Sequence, residues 1–342
     1  MAKIGIKDIA AKAGVSIATV SHAFRNPGRV SEQTRRKVLA AADEVGYAPN
    51  RLARSLRTAR SGCIVAIIPD VADNHNSGII KAIEKTAHAR GYSVLLGDTQ
   101  GSPQREREFA AMARSGQADG IILMSHRMPF RIGEGQLDID ELPPLVNGCE
   151  FAGYDELPMV GIDDFAAAVD AANHLIDLGH RHIALVTGDM ATTSSRRRMD
   201  GFTRAMADAG IGINDRLVVY GEYTLGGGEA AARSLLMEKQ RPSAIFCFSD
   251  EIALGCMAVL RERGFDVPGD ISVIGFDNIP FARYVAPPLT TIAQPAADIG
   301  ATCAALLLDL IDGKRPDKMR HVMPHELVVR KSTAPVSGGR RT

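Results

Sequence analysis

Polar residues that could bind a small molecule follow the short apolar runs of this chain. They are mostly carboxylates, with one hydroxyl and one amide among them: Asp70, Asp98, Ser125, Asn147, Asp163, Asp250 and Asp277. A carboxylate such as Asp277 can accept two hydrogen bonds from hydroxyl or ring N–H groups of a ligand. Asp163 and Asp250 could instead cap the helices that follow them. The residue types indicate a site for a hydroxyl-rich or heterocyclic ligand.

Motifs for common catalytic chemistries are missing from the sequence. The run Gly226-Gly227-Gly228 has neither the lysine nor the preceding strand of a phosphate-binding loop. No Gly-x-Ser-x-Gly elbow and no His-Glu-x-x-His pair occurs, and the nine histidines are scattered. The five cysteines are widely spaced without metal-ligand spacing, which favours buried thiols in a reducing cytoplasm. We therefore expect no catalytic residue, no metal and no cofactor.

The elements that must position the polar residues are strands alternating with helices. The apolar runs predict strands at Ile64–Pro69, Ser93–Gly97, Gly120–Met124, Leu145–Asn147, Ile183–Thr187, Ala244–Phe248 and Ser272–Phe276. Amphipathic stretches predict helices at Gly78–Arg90, Arg105–Ser115, Phe165–Leu178, Arg197–Ala209 and Glu251–Arg263. Such alternation indicates parallel sheets covered on both faces, and a break near Gly161–Asp164 suggests two doubly wound lobes. Ligands of these folds bind beyond the carboxyl ends of the strands.

Charge is distributed unevenly along the 342 residues, although the formal net charge is zero. Residues 1–61 carry twelve Lys and Arg against four acids, a net charge of +8, and the remainder carries −8. A basic head on an acidic body favours a polyanionic partner for the head alone. No apolar run reaches the length of a membrane span and no signal peptide is visible, so we expect a cytoplasmic protein without a membrane partner.

The basic head has the spacing of a helix-turn-helix over residues 7–24. Ala10 is small where two helices would cross, Gly14 can adopt the positive φ of the turn, and Ser16 can cap the second helix. Ile17, Ala18, Ser21 and His22 are left for the exposed face, where a recognition helix meets base edges. A third helix should start at Ser31. The alternative is a three-helix packing module with a solvated basic face, but the charge favours DNA binding.

The same residues resemble the LacI/GalR family of repressors. The matching phrases are Ile6–Ala10, Ala13–Ser16, Thr19–Ser21, Asn26–Pro27, Val30–Ser31, Thr34–Arg35, Val38, Ala41–Ala42, Gly46–Tyr47 and Pro49–Asn50. The resemblance continues to about residue 334, and Ile68–Asp70, Gly275–Asn278 and Pro287–Ile292 are most similar to the cytidine and purine repressor subgroups. It implies a sequence-specific transcriptional repressor of a catabolic pathway that is controlled by a sugar or nucleoside effector.

For the head, the resemblance implies a DNA-binding domain over residues 1–49 and a hinge helix within residues 50–61. Leu56 would be an apolar wedge in the minor groove, although a linker leucine that docks on the body is the alternative. Many family members carry arginine at the position of His22, so the operator sequences of those members do not predict the operator of this chain. The implied DNA contacts are Lys7, Ser16, Ile17, Ala18, Thr19, Ser21, His22, Asn26, Ser31, Thr34, Asn50, Ala53, Arg54 and Leu56.

For the body, the resemblance implies a type I periplasmic-binding-protein fold over residues 62–336. Its N-lobe would hold residues 62–162 and 293–323, its C-lobe residues 163–292 and 324–334, and residues 337–342 would be a disordered tail. The implied effector contacts are Asp70, Asn74, His75, Ser77, Ser125, Asn147, Asp163, Arg198, Tyr223, Ser249 and Asp277. Family members commonly have an aromatic pair after the first-strand aspartate, whereas this chain reads Ala72–Ser77, which favours a sugar or sugar-bearing nucleoside over a bare base.

The expected partners are double-stranded operator DNA, the small-molecule effector and a second copy of the chain. Helix-turn-helix half-sites repeat with two-fold symmetry, which predicts a homodimer. The chain after Val329 has no heptads, so a coiled-coil tetramer is not expected. Two alternatives stay open at this point: an enzyme fused to a DNA-binding head, and an architectural protein that responds to no ligand. Arg198 could also belong to a solvated basic face formed with Arg196 and Arg197.

Overall fold

The computed structural model describes residues 5–25, 27–47, 60–133 and 138–336. The chain divides into two compact units, Met1–Ser61 and Gly62–Thr342, which we call the head and the body. Most of the predicted hinge, residues 50–59, and the predicted tail, residues 337–342, lie outside the described residues.

Three α-helices make up the described part of the head. They are α1 (Ile6–Ala13), α2 (Ile17–Arg25) and α3 (Glu32–Glu44), with a short 3₁₀ turn at Pro27–Arg29. Ile9, Val20 and Val38, one from each helix, have no exposed surface and form the centre of a small core. Alanines fill the rest of this core, which lets the helices cross closely.

The turn between α1 and α2 has the geometry that the sequence predicts. Gly14 lies at φ +65°, a left-handed conformation in which glycine has no steric penalty. The Oγ atom of Ser16 accepts a hydrogen bond of 3.0 Å from the backbone N–H of Thr19 and so caps α2. Ser31 caps α3 in the same way through the N–H of Thr34. These local signals fix where α2 and α3 begin.

The first sheet of the body defines the N-lobe. Its described strands run in the order β11-β5-β4-β3-β1-β2, and all neighbours are parallel. The strands are β1 (Cys63–Ile68), β2 (Ser93–Asp98), β3 (Ile121–Leu123), β4 (Leu145–Gly148), β5 (Met159–Ile162) and β11 (Arg320–Met323). Alternate residues of β1 face opposite cores, which explains why the run is apolar throughout.

The second sheet defines the C-lobe. The described order is β12-β10-β9-β8-β6-β7, parallel except for the antiparallel pair β10 and β12. The strands are β6 (Ile183–Val186), β7 (Val218–Val219), β8 (Ala244–Cys247), β9 (Ser272–Asp277), β10 (Thr290–Ala293) and β12 (Glu326–Val328). The chain therefore crosses between the lobes three times, after β5, after β10 and after β11.

Helices cover both sheets. They are α4 (Asn74–Ala89), α5 (Pro103–Arg114), α6 (Asp164–Asp177), α7 (Thr193–Asp208), α8 (Leu225–Met237), α9 (Asp250–Glu262) and α10 (Ala296–Ile311). In the N-lobe, α4 and α10 pack together, while α5 lies against the separate core beneath β1 and β3. This arrangement confirms the predicted fold class: an all-α head and an α/β body with two doubly wound lobes.

Two details of the body differ from the sequence prediction. The sequence analysis predicted no strand just before the break near Gly161–Asp164, whereas β5 ends there at Ile162 and passes directly into α6 as the chain leaves the first sheet. Several helices also begin before the amphipathic pattern does, because polar caps such as Asp73 and Asp163 start them. No helix among the described residues is long and apolar enough to span a membrane.

Candidate ligand site and nucleic-acid interface

The body contains a cavity of about 570 Å³ at the carboxyl ends of both sheets, which we call the body cavity. The ends of β1, β3 and β4 supply its N-lobe wall, and the segments after β6, β7, β9 and β10 supply its C-lobe wall. Parallel strands bring these chain segments to one edge of each sheet, and the two edges face each other here. The cavity is therefore lined by both lobes.

Six of the eleven predicted effector contacts line the body cavity. They come from both lobes and from elements far apart in sequence: Asp70, His75, Ser125, Arg198, Tyr223 and Asp277. Arg198 is 5% exposed, so the alternative of a solvated basic face does not apply to it, although Arg197 is exposed.

The other five predicted contacts do not line the cavity, because each has a local structural role or faces elsewhere. Asp163 and Ser249 cap α6 and α9, and Asp163 also forms an ion pair of 3.1 Å with Arg197. Ser77 is exposed, with its hydroxyl bound to the carbonyl of Asn74. Asn147 is 1% exposed, and no partner for its Nδ2 lies among the described residues. Asn74 is engaged with the C-lobe, as described below.

Asp98 and Asp250, which also follow strands, lie outside the cavity lining as well. Asp250 has no exposed surface, and its carboxylate accepts hydrogen bonds from the N–H of Ile279 and the hydroxyl of Thr291. Burial raises the pKa of Asp250 well above its ordinary value. The residue ties α9 to the start of the segment after β9, so both of its carboxylate oxygens are already used within the C-lobe.

Sequence reasoning missed several polar residues that line the cavity. The inner ones are Asp73, Asn76, Glu106, Glu150, Asp164, Ser194 and Gln294. Asp73 and Asp164 were hidden among helix-start signals, since a carboxylate at that position is ordinarily read as a cap. Glu106 and Ser194 lie on helices that no strand-end rule addresses. The acid Glu150 follows β4 closely and could have been found by the same rule as Asp70.

Arg198 is the central cation of the cavity. Its Nε donates a hydrogen bond of 2.8 Å to Asp164, and one terminal nitrogen donates a hydrogen bond of 2.6 Å to the carbonyl of Phe248. Its guanidinium stacks 3.7 Å from the centroid of the Phe276 ring. The charge of Asp164 opposes the effect of burial and raises the pKa of Arg198, so the cation is held in place and in its charged form.

Asp277 closes the inner end of the C-lobe wall. Its Oδ1 accepts a hydrogen bond of 2.7 Å from Gln294 Nε2, and its backbone lies at φ +110°, a conformation that only special surroundings hold in a non-glycine residue. Burial raises its pKa to about 7, against the opposing effects of Arg198 and Gln294. The carboxyl group is thus poised to exchange a proton when its surroundings change.

A cluster of hydroxyl groups lies beside Glu150. Ser195 and the phenol of Tyr223 share a hydrogen bond of 2.7 Å, and burial raises the pKa of Tyr223. Only glycine at position 188 leaves room for the ring of Tyr223, because a Cβ atom on Gly188 would lie 2.0 Å from the ring. The ring is therefore fixed and presents a flat, neutral surface to the cavity.

The N-lobe wall contains an ion pair between the buried Glu106 and the partly exposed Arg127. Glu106 is 2% exposed and accepts a hydrogen bond of 2.8 Å from the hydroxyl of Ser125. It also accepts two hydrogen bonds, of 2.9 and 3.0 Å, from the guanidinium group of Arg127. The fork-like contact uses both carboxylate oxygens, so the pair is rigid. It holds Ser125 in one orientation at the cavity surface.

Asp73 caps helix α4 and His75 lies in its first turn, and both line the cavity. Asp73 Oδ1 accepts hydrogen bonds from the N–H groups of His75 and Asn76. Burial, together with the charge of Asp277, raises the pKa of Asp73 to about 6. Burial lowers the pKa of His75 to about 4, so the imidazole is neutral at pH 7. Its Nε2 is buried without a partner among the described residues.

Two sets of hydrogen bonds join the lobes at the cavity margin. Nδ2 of Asn74 in the N-lobe donates a hydrogen bond of 2.7 Å to Oε1 of Glu251 in the C-lobe. Glu150 of the N-lobe accepts hydrogen bonds from the N–H groups of Thr193 and Ser194, at 2.9 and 3.3 Å, and from the Ser194 hydroxyl. The carboxylate of Glu150 therefore sits at the N-terminus of α7, where the helix dipole favours a negative charge.

In the head, α2 presents the predicted recognition surface. Ile17 is 46% exposed and Ala18 is exposed, while Thr19, Ser21 and His22 are partly exposed. Lys7, Ser16 and Ser31 are exposed at helix starts and Thr34 is partly exposed. The remaining predicted DNA contacts, Asn26, Asn50, Ala53, Arg54 and Leu56, lie outside the described residues. The surface has one apolar side, suited to a thymine methyl, and several hydroxyls.

A basic helix-turn-helix head and a two-lobed body with a ligand-sized cavity define the class of regulators that couple DNA binding to a small molecule. Residues 5–50 match the model of the bacterial regulatory proteins of the lacI family, and residues 172–333 match a periplasmic binding protein-like domain. The HTH-type transcriptional repressor CytR of Escherichia coli (strain K12) is 41% identical, over 96% of each chain. The chain belongs to the LacI family, as its sequence motifs predicted.

Solved structures agree with this assignment. The lac repressor dimer bound to operator and the anti-inducer ONPF superimposes with a TM-score of 0.80, at 28% identity, over 97% of this chain and 99% of that one. A LacI family regulator from Enterococcus faecium with bound ribose has a TM-score of 0.71, at 28% identity, over 80% of this chain and 100% of that one.

Proposed function

We propose that this chain represses a catabolic pathway by binding a palindromic operator as a homodimer, and that a sugar or nucleoside in the body cavity sets its affinity for DNA. The observation that carries the proposal is the presence of two sites in one chain: an exposed α2 face on a +8 head, and a ligand-sized cavity with polar side chains from both lobes of the body. The named relatives are transcription regulators rather than enzymes, which supports a regulatory role.

DNA binding is supported by the residues that α2 leaves exposed. The side chains of Ile17, Ala18, Ser21 and His22 are placed on one helix whose start is fixed by Gly14 and Ser16, so a major groove could receive them in a defined register. The basic residues of the head would supply contacts to phosphate that are independent of sequence. The hinge helix with its Leu56 wedge remains part of this proposal.

Control by an effector is supported by the walls of the body cavity. A ligand there would touch Asp70 and Ser125 in the N-lobe and Arg198, Tyr223 and Asp277 in the C-lobe. Its affinity would then depend on how the lobes are arranged, and it could shift the equilibrium by its difference in affinity between two arrangements. The regulator from Enterococcus faecium binds ribose in its solved structure, which fits the hydroxyl-binding groups of this cavity.

Selection of bound fragments from genomic DNA tests the DNA-reading half of the proposal. The wild-type chain should enrich inverted repeats whose half-sites are about ten base pairs apart. The double variant Ser21→Ala/His22→Ala should lose that enrichment by tenfold or more while keeping non-specific binding, since good base contacts contribute about 1 to 3 kcal/mol each. The control Lys85→Ala, an exposed residue of the body, should select like wild type. Unpatterned fragments, or identical motifs from the double variant, would contradict the proposal.

A further inference from the structure

The chain leaves β9 through two residues in an uncommon backbone conformation. Asp277 lies at φ +110° and Asn278 at φ +57°, so two successive residues that both have side chains adopt a positive φ. Asparagine tolerates the left-handed region better than most residues, but such conformations still cost free energy and persist only where neighbouring groups hold them. We call Asp277–Ile279 the Asp277 turn. Because Asp277 lines the body cavity, the groups that hold this turn also determine where its carboxyl group lies.

Three side chains from separate parts of the body bind the Asp277 turn, one at each of its residues. Nε2 of Gln294 donates a hydrogen bond of 2.7 Å to the carboxylate of the first residue, and Oδ2 of Asp250 accepts one of 2.8 Å from the N–H of the third. A terminal nitrogen of Arg330 donates a hydrogen bond of 2.7 Å to Oδ1 of Asn278. A guanidinium group can only donate, so this pairing turns the amide oxygen of Asn278 towards Arg330.

The guanidinium group of Arg330 bridges the two ends of the connection between β9 and β10. Residues 278–289 form this connection. One terminal nitrogen of Arg330 binds its first residue, and the other donates a hydrogen bond of 2.7 Å to the carbonyl of its last residue, Leu289. The donors of a guanidinium group lie in one plane in a fixed geometry. The fork therefore sets the separation of the two ends, and with it the course of the chain through the turn.

Arg330 reaches the turn from outside the body cavity. It is partly exposed, is not among the residues that line the cavity, and follows β12, the first strand after the third crossing between the lobes. Its own segment is fixed on β10. The N–H of Arg330 donates a hydrogen bond of 2.9 Å to the hydroxyl of Thr290, and Oγ of Ser332 accepts one of 2.8 Å from the N–H of Thr290. Arg330 thus extends to the turn from a rigid part of the C-lobe.

We propose that Arg330 is a positioning residue for the body cavity: it holds Asn278 in the left-handed conformation and so keeps the carboxyl group of Asp277 at the cavity surface, without touching a ligand. The inference rests on the proposed function, because it concerns the ligand-binding groups of the same cavity. Without the bond, Asn278 would relax to a negative φ. The two residues are adjacent, so this relaxation would redirect the side chain of Asp277.

Hydrogen exchange of the full-length, ligand-free protein tests the proposal. The amide of Ile279 is the reporter, because its hydrogen bond forms only with the Asp277 turn in place. Arg330→Ala and Asn278→Ala should each speed its exchange by at least about tenfold. Asn278→Ala removes only the accepting oxygen, so it tests the bond even where Arg330→Ala does not fold. The control Arg283→Ala removes an exposed guanidinium group of the same connection and should exchange like wild type. Unchanged exchange in both test variants would overturn the proposal.

Glycine at position 278 separates positioning from general stabilisation. Asn278→Gly adopts a positive φ without steric cost and offers no side-chain oxygen, so the turn no longer needs the bond. In that background, Arg330→Ala should change the exchange of the Ile279 amide by less than about threefold, because the partner of its interaction is already gone. Equal effects of Arg330→Ala in both backgrounds would show that Arg330 only stabilises the C-lobe, and would overturn the proposal.

Crystal structures of the ligand-free variants locate the carboxyl group itself. In Asn278→Ala and Arg330→Ala, Oδ1 of Asp277 should lie more than about 3.5 Å from Nε2 of Gln294, beyond hydrogen-bond distance. In Arg283→Ala it should stay at the wild-type distance of 2.7 Å. An Asp277 carboxyl group that keeps this bond in both test variants would contradict the assignment. None of these measurements needs a ligand or an operator, so failure of this inference is distinguishable from failure of the proposed function.

Discussion

Asn74 and Glu251 are joined by a hydrogen bond of 2.7 Å that crosses from the N-lobe to the C-lobe. Each residue lies in the first turn of a helix that starts at the cavity, α4 and α9 respectively. On the other side of the cavity, Glu150 reaches from the N-lobe to the start of α7. The lobes are therefore held together on both sides of the site by polar contacts, which form and break more readily than a packed apolar core.

Removing Glu150 should weaken the closed arrangement of the lobes. Glu150→Ala deletes the three hydrogen bonds that this carboxylate accepts from the C-lobe. A hydrogen bond to a charged group stabilises a fold by about 1.5 to 3 kcal/mol. We expect a larger radius of gyration by small-angle X-ray scattering and at least tenfold weaker ligand binding. Glu84→Ala removes an exposed acid of the same type as a control. A Glu150→Ala protein with unchanged scattering and affinity would show that these bonds do not hold the lobes.

The pKa of Asp277, about 7 in the folded chain, predicts a specific pH dependence of stability. Because the folded state holds this proton more tightly than the unfolded state, the carboxyl group costs stability as the pH rises from about 4 to about 7. Asp277→Asn should therefore be more stable than wild type at pH 8, by an amount on the order of 2 to 4 kcal/mol. Urea unfolding at several pH values measures this, and the stabilities of the two proteins should become equal as the pH approaches 4. A difference that does not change with pH would contradict the assignment.

For His75, the free energy of unfolding should change with pH in the opposite direction, and at lower pH, than it does for Asp277. Its folded pKa of about 4 lies below the ordinary value of 6.5, so the stability that its neutral form contributes is lost as the pH falls through that range. A His75→Gln variant should resist acid better than wild type between pH 6 and 4. Urea unfolding of both proteins at these pH values measures the difference, and parallel curves would show that the imidazole is not held neutral.

Arg198 should not tolerate a lysine. Lysine keeps the charge but loses the fork to Asp164 and the carbonyl of Phe248, and the planar contact with Phe276. We expect Arg198→Lys to destabilise the body by about 3 kcal/mol, the cost of disturbing a buried ion pair, and to abolish ligand binding. Arg197→Lys, at the neighbouring exposed position, provides the matched control for calorimetric unfolding. Equal melting temperatures for both variants would contradict a structural role for Arg198.

Gly14 and Gly28 form a matched pair of tests in the head. A Cβ atom at either position would meet nothing within 4 Å, but only Gly14 has a positive φ, +65°. Gly14→Ala should therefore cost about 1 to 2 kcal/mol of head stability through backbone strain alone, and Gly28→Ala should cost much less. Hydrogen exchange of the α1 and α2 amides measures this directly. Equal protection in the two variants would mean that the turn does not need its left-handed residue.

The fold was predictable because its signals are local and repeated. Continuous apolar runs indicated buried parallel strands, and Gly14 with Ser16 marked the turn and the start of α2. Short strands such as β7 and β11 were missed, since two to four residues with half-exposed surfaces carry no clear pattern. Their places are set by neighbouring strands instead.

The site was only partly predictable, because its chemistry depends on which side chains turn inward. Asp70 and Asp277 follow strands and line the cavity, whereas Asp163 and Ser249 satisfy the same sequence rule and cap helices instead. Glu106 reaches the cavity wall from a helix, where its pairing with Arg127 is a contact between residues far apart in the chain. A linear pattern contains no information about such a pairing.

The central claim is that occupancy of the body cavity sets the affinity of the head for its operator. Fluorescence anisotropy of the operator recovered by genomic selection, titrated with and without the sugar or nucleoside that most raises the melting temperature, tests it most directly. Operator affinity should change by fivefold or more for the wild-type chain. For Asp277→Asn the ligand-free affinity should be the same and the response lost. An operator affinity that saturating ligand leaves unchanged would contradict the claim.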